Sequence, residues 1–367
     1  MIRILLILFT LTMLTNTINA QTKPLKVGVA GLTHGHVHWI LGREDRGDIE
    51  IVGISEPNKA LVEKFMSQYD FDKDLVFDDL ETMLIEKKPE AVTAFGTTFE
   101  HLEVVKACAP KGIHVMVEKP LAVNMAQASE MQQLAMKYDI HLLTNYETTW
   151  YPTTHAAIDF LKKNEIGSLT QVIVRDGHRG PEKIGVGKEF LEWLTDPELN
   201  GGGALMDFGC YGVNIMTWFM QNERPIAVTA VTQTLQPKYH PNVEDEATII
   251  LSYKNAKATV QASWNWPIGR KDMEVYGETG AIFVDNGNEL RIRYAEGYDG
   301  YDEKKYNYGS RKAPLDDPFA YFASVVQGEI KPGPYDLSAL PNNMIVMEIL
   351  DAARKSAETG QTVYLDK

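Results

Sequence analysis

Cysteine is scarce in this sequence. The 367 residues contain only Cys108 and Cys210, which form neither a disulfide framework nor the spacing of thiolate metal ligands. Both are interpreted as small buried hydrophobic residues. A disulfide-stapled scaffold and a cysteine-based metal centre are therefore excluded.

Clusters of basic residues are also missing. The chain has 36 Lys and Arg against 50 Asp and Glu, a formal net charge of −14. Binding a nucleic-acid backbone or an anionic membrane surface depends on clustered Lys and Arg, so neither partner is expected. A site for one dinucleotide is compatible with this charge, because backbone N–H groups at a helix N-terminus can hold a pyrophosphate.

The apolar stretch at the start of the chain is short. Residues 4–14 are nearly all apolar, follow Arg3 and precede Ile18-Asn19-Ala20. This layout is typical of a secretory signal cleaved after a small residue, and it falls short of the roughly 20 residues of a membrane-spanning helix. We expect residues 1–20 to be a signal peptide, the mature protein to be periplasmic or secreted, and no membrane anchor to be present.

Residues 24–145 alternate short apolar runs with helical patterns. Such alternation is typical of a parallel sheet with right-handed crossovers, and it predicts a Rossmann domain. The predicted strands lie at 26–30, 49–55, near 76, 91–94, 113–117 and 141–144, with the main helices near 60–68, 81–87, 100–109 and 124–138.

The pattern changes after about residue 146. Strand-like runs now follow one another through short turns, which favours antiparallel pairing. We predict a second domain over residues 146–367, an α+β unit with a large, mostly antiparallel open sheet. Its strands are expected at 170–175, 227–233, 247–253, 257–263, 273–276, 282–285 and 289–294, its helices at 151–163, 212–221 and 342–359, and a loop at 296–311.

The first predicted strand ends in a glycine turn that fits a dinucleotide. Gly31 permits a tight turn, and Glu56, about 25 residues later, can accept a hydrogen bond from a ribose 2′-hydroxyl. A carboxylate there repels a 2′-phosphate, so NAD is favoured over NADP. Thr33 and His36 replace the second and third glycines of G-x-G-x-x-G, and Gly35 comes one residue early.

Three histidines in and after this turn raise the question of a metal. His34 and His38 are four residues apart and could share a helix face. The sequence shows no third ligand, so we expect no metal site. His34 and His36 are instead grouped with Thr33 and Gly35 as cofactor-binding candidates.

Two further stretches carry a family resemblance. Val117-Glu118-Lys119-Pro120 ends the fifth predicted strand, and about 80 residues later Gly201-Gly202-Gly203 precedes Asp207 and Tyr211. Together they resemble the Gfo/Idh/MocA oxidoreductases, which include glucose–fructose oxidoreductase, inositol dehydrogenases and dihydrodiol dehydrogenases. The resemblance runs from about residue 25 to the C-terminus and implies cofactor contacts at Gly96, Thr97, His101, Glu118, Lys119 and Asn145.

The resemblance also implies catalytic roles for Lys119, Tyr211 and Asp207. A lysine at the end of a parallel strand can stabilise a developing alkoxide or lower the pKa of a neighbouring phenol. Tyr211 stands where many members have His, and the tyrosine version is similar to glucose–fructose oxidoreductase and the dihydrodiol dehydrogenases. It would move the proton of the substrate hydroxyl.

Substrate contacts are harder to assign. Glu147 stands where relatives often have Arg, and Asn214 where many have Asp. The pattern Asp207, Tyr211, Asn214 predicts one helix face, and the indole of Trp264 could stack on a sugar ring. The candidates are Tyr146, His178, Arg179, Asn214 and Trp264.

Three functions agree with these features. The first is an NAD-dependent oxidoreductase that acts on a hydroxyl or keto group of a sugar or glycoside and retains its cofactor, because little free cofactor is available outside the cytoplasm. The second is an NAD-dependent glycoside hydrolase that works through transient oxidation and elimination. The third is a non-catalytic sugar-binding protein on the same fold. The resemblance further implies a homodimer or homotetramer.

Overall fold

The computed structural model describes residues 23–365, so the predicted signal peptide lies outside the described part of the chain. The N-terminal half has strands β1 to β6, in parallel and in the order β3-β2-β1-β4-β5-β6. They span Leu25–Ala30, Ile49–Ser55, Val76–Phe77, Ala91–Ala94, His114–Glu118 and Leu142–Asn145. Helices α1 to α5 span Val37–Leu41, Lys59–Tyr69, Leu80–Lys87, His101–Cys108 and Met125–Tyr138. This arrangement confirms the predicted Rossmann domain.

Several of these helices begin where the sequence supplies a capping side chain. Asn58 accepts from the N–H of Leu61 at the start of α2, and Asn124 accepts from Gln127 at the start of α5. Such caps satisfy backbone donors that the helix leaves without a partner. The burial of successive residues in β4 and β5 agrees with a parallel sheet covered on both faces.

The C-terminal half is built around a mostly antiparallel sheet, as predicted. Its order is β14-β13-β12-β11-β7-β10-β9-β8-β15, and β7 and β10 are a parallel pair. The strands β7 to β15 span Leu169–Gly177, Ala227–Gln233, Glu246–Ser252, Lys257–Ser263, Arg270–Gly277, Gly280–Val284, Glu289–Glu296, Gly300–Asn307 and Val363–Tyr364. Helices α6 to α12 span Pro152–Lys162, Pro181–Ile184, Lys188–Leu194, Ala204–Asp207, Gly209–Phe219, Pro318–Val326 and Leu340–Thr359.

Two predictions for this half were wrong in detail. The stretch 296–311 is not a loop throughout, because β14 pairs antiparallel with β13 along its whole length. This edge strand is polar and mostly exposed, so its composition concealed it. The helix α11, which the sequence pattern did not indicate, returns to the Rossmann half, where Phe319 and Phe322 pack in one core with Val29 and Phe95.

The two halves share a second, larger core that runs from α4 and α5 to the inner face of the open sheet. The helix α10 lies within this core and is apolar on nearly every face, as expected for a helix covered on all sides. Its N-terminus lies near the carboxyl end of β5, so the site forms where the halves meet. None of the described helices is long and apolar enough to cross a membrane.

Candidate active site

A cavity of about 700 Å³ lies between the two halves, and we call it the interdomain pocket. Ligands bind at the carboxyl ends of the strands in open parallel sheets, which is where this pocket lies. It is lined by the glycine turn after β1, the end of β5, and parts of α8, α9, α10, β7 and β11. The lining residues used below are His34, Gly35, His36, Lys119, Glu147, Tyr151, His178, Asp207, Phe208, Tyr211, Arg270 and Lys271.

Lys119 and Asp207 form a buried ion pair on the wall of this pocket. The Lys119 ammonium donates to a carboxylate oxygen of Asp207 and to its backbone carbonyl, the latter at 3.1 Å. Each side chain is only 6% exposed. Burial alone would raise the pKa of Asp207, but the Lys119 ammonium holds it below its usual range. Burial opposes the charge of Lys119 as well, yet Asp207 raises the pKa of the lysine. Both groups are therefore charged at neutral pH.

The three glycines before α9 allow the chain to bring Asp207 to the lysine. A Cβ on Gly203 would lie 1.9 Å from the carbonyl oxygen of Glu244, so only glycine fits this approach. The Glu244 carboxylate accepts from the N–H groups of Gly203 and Leu205, at 2.9 and 3.0 Å. These contacts hold the segment that precedes Asp207.

Trp264 hydrogen-bonds to Asp207 and does not line the interdomain pocket. Its indole N–H donates to the second oxygen of Asp207 at 2.9 Å, and the ring is fully buried. Each oxygen of Asp207 therefore has a donor. The predicted sugar-stacking role is not supported, because the indole is enclosed in the core.

Replacing Trp264 with phenylalanine is expected to leave one buried carboxylate oxygen without a donor. The cost should be about 1–3 kcal/mol in the free energy of unfolding, with a fall in kcat and little change in KM. Trp193→Phe is the matched control, because its buried indole nitrogen has no hydrogen-bond partner among the described residues. Equal effects of the two substitutions on kcat would contradict the positioning role of Trp264.

Tyr211 follows one turn later, in α10, and its ring lies close to two ammonium groups. The Lys119 nitrogen is 5.3 Å from the ring centre and the Lys271 nitrogen is 4.9 Å from it. Burial raises the pKa of Tyr211, with a further contribution from Glu147. The phenol therefore holds its proton at neutral pH. The net direction of this pKa is set by burial and by the nearby acidic groups, while the lowering effect expected of Lys119 stays a prediction.

In the glycine turn after β1, Gly31 packs closely against the backbone of Gly96, whereas Gly35 has free space beside it. Gly31 has φ of +81°, and a Cβ there would lie 2.7 Å from the backbone nitrogen of Gly96. At Gly35, in contrast, a Cβ would meet no atom within 4 Å. Thr33 is not part of the pocket lining, and its hydroxyl lies 3.4 Å from the carbonyl of Phe95. The open backbone at Gly35 therefore leaves room for a dinucleotide, and Thr33 does not line that space.

Glu56 lies at the other end of this turn. Its two oxygens accept from the N–H groups of Leu32 and Asn58, both at 2.9 Å. Each oxygen keeps a second lone pair that can accept from a ribose hydroxyl. Gly96 lies against Gly31 at the same edge, and Thr97 caps the short helical turn Thr98–Glu100. The structure thus brings four candidates together at the carboxyl ends of β1, β2 and β4, outside the interdomain pocket: Gly31, Glu56, Gly96 and Thr97.

Glu118 connects this turn to β5 and β6. Its carboxylate accepts from the Asn145 amide at 2.7 Å and lies 2.9 Å from Nδ1 of His36. Burial lowers the pKa of His36 to about 3 and that of His101 to about 4, so both rings are neutral at neutral pH. His101 is buried and its Nδ1 lies 3.1 Å from the carbonyl of Leu121, away from the pocket lining.

His34, His36 and Glu118 place ligand-type atoms within 4.8 Å of one another. The Glu118 carboxylate is the third ligand-type group, which the spacing of the histidines along the chain did not reveal. In this arrangement Nδ1 of His34 accepts from the N–H of His36, which leaves the proton of the neutral ring on Nε2. The cluster is joined by hydrogen bonds and orients the turn.

The remaining substrate candidates separate into two groups. His178 lines the pocket, with its ring against Phe208. Arg179 is exposed and is not part of the lining. Tyr146 is fully buried and packs edge-on against Tyr211, so it supports that ring from behind.

Asn214 does not lie on the face that the sequence pattern predicted. Phe208 interrupts the helix that was expected to present Asp207, Tyr211 and Asn214 on one face, and α9 and α10 are separate. Asn214 is fully buried, and its amide donates to the carbonyl of Leu337 at 2.9 Å. It anchors the segment before α12 and does not reach the pocket.

Both halves of the chain match models of one protein family. Residues 25–146 match the NAD-binding Rossmann fold of the GFO/IDH/MocA oxidoreductase family, and residues 154–283 match the GFO/IDH/MocA C-terminal domain. The chain belongs to the Gfo/Idh/MocA family. The resemblance stated from Glu118-Lys119-Pro120 and the three glycines is confirmed, and so is the assignment to an NAD-binding family.

Individual members of the family are more distant. A trans-1,2-dihydrobenzene-1,2-diol dehydrogenase of Xenopus tropicalis is 29% identical over 163 residues, which are 44% of this chain and 46% of the relative. The match thus spans about half the length of that relative. A D-xylose 1-dehydrogenase (NADP⁺) of Haloferax volcanii is 25% identical over 298 residues, 79% of this chain and 85% of its own.

The fold also has solved counterparts. The aldose–aldose oxidoreductase from Caulobacter crescentus, crystallised with glycerol, superposes with a TM-score of 0.76 at 17% identity. The superposition covers 93% of this chain and all of the other chain. At this identity the comparison establishes the fold alone.

The sequence did not single out Lys271, Tyr151 or Asp176 in this Gfo/Idh/MocA protein. Lys271 forms an ion pair with Glu147, which also accepts from the Tyr151 hydroxyl. Asp176 is buried near this pair, and one of its oxygens has no hydrogen-bond partner among the described residues. Asp176 and Lys271 are opposite each other in β7 and β11, a register that only the folded sheet reveals.

Asp176 is expected to make the stability of the protein depend on pH. Burial raises its pKa to about 8, from an ordinary value of 3.8. The unfolded chain gives up this proton near pH 4 and the folded protein keeps it to about 8, so the group destabilises the fold as pH rises through this window. Asp176→Asn should reduce the loss of unfolding free energy between pH 5 and 8 by at least about 1.4 kcal/mol. Parallel pH profiles of the wild type and the variant in urea denaturation would contradict this.

Proposed function

We propose that this protein oxidises a hydroxyl group of a sugar or glycoside, and reduces a second carbonyl compound, with a tightly retained nicotinamide cofactor. The observation that carries the proposal is the buried Lys119–Asp207 pair beside the protonated phenol of Tyr211, in the same pocket as the glycine turn. Cation, proton donor and dinucleotide turn are the parts that a hydroxyl oxidoreductase needs. The relatives named above are dehydrogenases of diols and sugars, which supports this choice.

The nucleotide would be held by the open backbone at Gly35, by Glu56 at the ribose, and by Glu118, Asn145 and Lys119 near the pocket. The cradle at Gly35 and the free lone pairs of Glu56 fit this group. The Glu56 carboxylate disfavours a 2′-phosphate, so NAD is preferred to NADP. When bound, the nicotinamide supplies or takes up the hydride.

Tyr211 and Lys119 perform the proton chemistry. In the reducing direction the phenol donates its proton to the carbonyl oxygen of the substrate. The resulting tyrosinate lies between the Lys119 and Lys271 ammonium groups, which stabilise its charge. In the oxidising direction the tyrosinate takes the proton of the substrate hydroxyl. Asp207 keeps the Lys119 ammonium in place, where it can also donate to the oxygen that reacts.

The direct test is mass spectrometry of the nucleotide released when the purified, dialysed protein is denatured. We expect NAD in near-stoichiometric amount. A cofactor-free protein with no affinity for NAD or NADP would contradict the proposal. Incubation with a nitrophenyl glycoside then separates two chemistries: a ketosugar and reduced cofactor support oxidation, whereas free nitrophenol without net redox indicates a glycosidase.

Two further features belong to the same proposal. We infer that residues 1–20 direct export, which agrees with retention of the cofactor, and that the protein recovered outside the cytoplasm begins at Gln21; N-terminal sequencing tests this. We also infer a homodimer or homotetramer through the open sheet face, where Val231 and Ile250 are 64% and 40% exposed. Light scattering of the purified protein measures the mass of the assembly.

A further inference from the structure

We propose that Glu147 and Lys271 form a subsite that binds the sugar hydroxyls next to the reacting carbon, and that Glu147 makes the pocket selective for neutral over acidic sugars. This inference rests on the proposed function, because it assigns the substrate class of the same pocket. We call the two residues the 147–271 pair.

The 147–271 pair lies beside the group that moves the proton. Glu147 begins the short helical turn just after β6, and Lys271 lies in β11 of the open sheet. Both line the interdomain pocket. The Lys271 nitrogen is 4.9 Å from the ring centre of Tyr211, as close as the Lys119 nitrogen at 5.3 Å. A substrate that reaches Tyr211 must therefore also meet this pair.

The donors and acceptors of the pair are complementary to hydroxyl groups. One oxygen of Glu147 accepts from Lys271 and the other from the Tyr151 hydroxyl, so each oxygen keeps one lone pair. Lys271 keeps two N–H donors. A sugar hydroxyl both donates and accepts, and it can bind to the carboxylate and the ammonium together. The side chains are 29% and 24% exposed, so both are accessible to a ligand.

The charges around the pocket exclude an acidic ligand. Three cations line it, and each has a carboxylate partner: Lys119 pairs with Asp207, Lys271 with Glu147, and Arg270 with Asp272. Burial lowers the pKa of the lining residues His36 and His178, so neither supplies a positive charge at neutral pH. A substrate carboxylate would displace an existing partner and lie beside it, and like charges at this distance are costly.

Asp176 determines how the pair responds to substitution. It is opposite Lys271 in the strand pair β7–β11, and it holds its proton at neutral pH because burial, with a contribution from the charge of Glu147, raises its pKa. If Glu147 loses its charge, Asp176 can ionise and take its place. To leave the Lys271 ammonium without a carboxylate partner, Glu147→Gln and Asp176→Asn must therefore be combined.

The test measures kcat/KM for cofactor reduction with matched probes, the methyl β-glycosides of glucose and galactose and the corresponding methyl glycosiduronates. Wild type is expected to prefer the neutral member of each pair. The double variant Glu147→Gln/Asp176→Asn should shift the ratio toward the uronate by about tenfold or more, and Glu147→Gln alone should shift it less. Lys271→Met should raise KM for the neutral glycosides more than it lowers kcat.

Glu274→Gln is the matched control. Glu274 lies in the same strand as Lys271, on the opposite face of the sheet, and binds Arg175. Its substitution should leave the ratio unchanged. An unchanged ratio in the double variant, while wild type and Glu274→Gln oxidise the neutral glycosides, would overturn the inference and leave the proposed function intact. Failure of NAD-loaded wild type to oxidise any of the four probes would count against the proposed function itself.

Discussion

Tyr211→Phe is expected to lower kcat by about 10²–10⁴-fold, the usual contribution of a general acid–base group. In the proposed mechanism the phenol hydroxyl is the proton donor, and phenylalanine keeps the ring near Lys119 and Lys271 while it removes the proton. The retained nucleotide and the melting temperature should be nearly unchanged, because the variant loses no hydrogen bond seen in the described structure. Steady-state turnover and nucleotide content together check this result.

Tyr146→Phe is the matched control for this experiment. Tyr146 packs edge-on against Tyr211, but its hydroxyl is buried and has no hydrogen-bond partner among the described residues. Removing such a hydroxyl costs little and can stabilise the fold. A loss of turnover in Tyr146→Phe as large as in Tyr211→Phe would show that the aromatic pair has only a structural role.

Lys119→Met is expected to reduce both turnover and stability. The substitution leaves Asp207 buried without its cation, which should cost about 3–5 kcal/mol in the free energy of unfolding. In the proposed mechanism it also removes a donor to the reacting oxygen, so kcat should fall by about 10²–10³-fold. Urea denaturation and steady-state kinetics measure the two effects separately.

The double variant Lys119→Met/Asp207→Asn separates the two causes. It removes both charges and keeps an acceptor for the Trp264 indole, so most of the lost stability should return. Turnover should stay low, because the ammonium is still absent. Recovery of turnover together with stability would mean that Lys119 is needed only for folding.

Much of the fold could be predicted because its signals are local. Alternating strands and helices in the first half, and short turns such as Lys254-Asn255 in the second, are properties of neighbouring residues. The helix α11 was missed because its apolar residues fill a core contributed by the other half of the chain, a long-range contact. The edge strand β14 was missed because it has few apolar residues and lies exposed.

The candidate site was predictable to the extent that it follows chain motifs. Lys119, Asp207 and Tyr211 lie in two recognisable stretches, and the structure brings them together. Sequence could not show that Trp264 donates to Asp207, that Asn214 donates to the segment before α12, or that Lys271 forms an ion pair with Glu147. These contacts depend on the register of the open sheet and on the packing of the two halves.

We propose that the pocket around Lys119 and Tyr211 oxidises sugar hydroxyls with a bound nicotinamide. The absorbance at 340 nm of the NAD-loaded protein, measured after addition of methyl glycosides and without added cofactor, reports this reaction. We expect a rise that approaches one reduced nicotinamide per chain in wild type and a rate at least about 100-fold lower in Tyr211→Phe. A protein that holds NAD but shows no rise with any glycoside, or equal rates in both proteins, would contradict it.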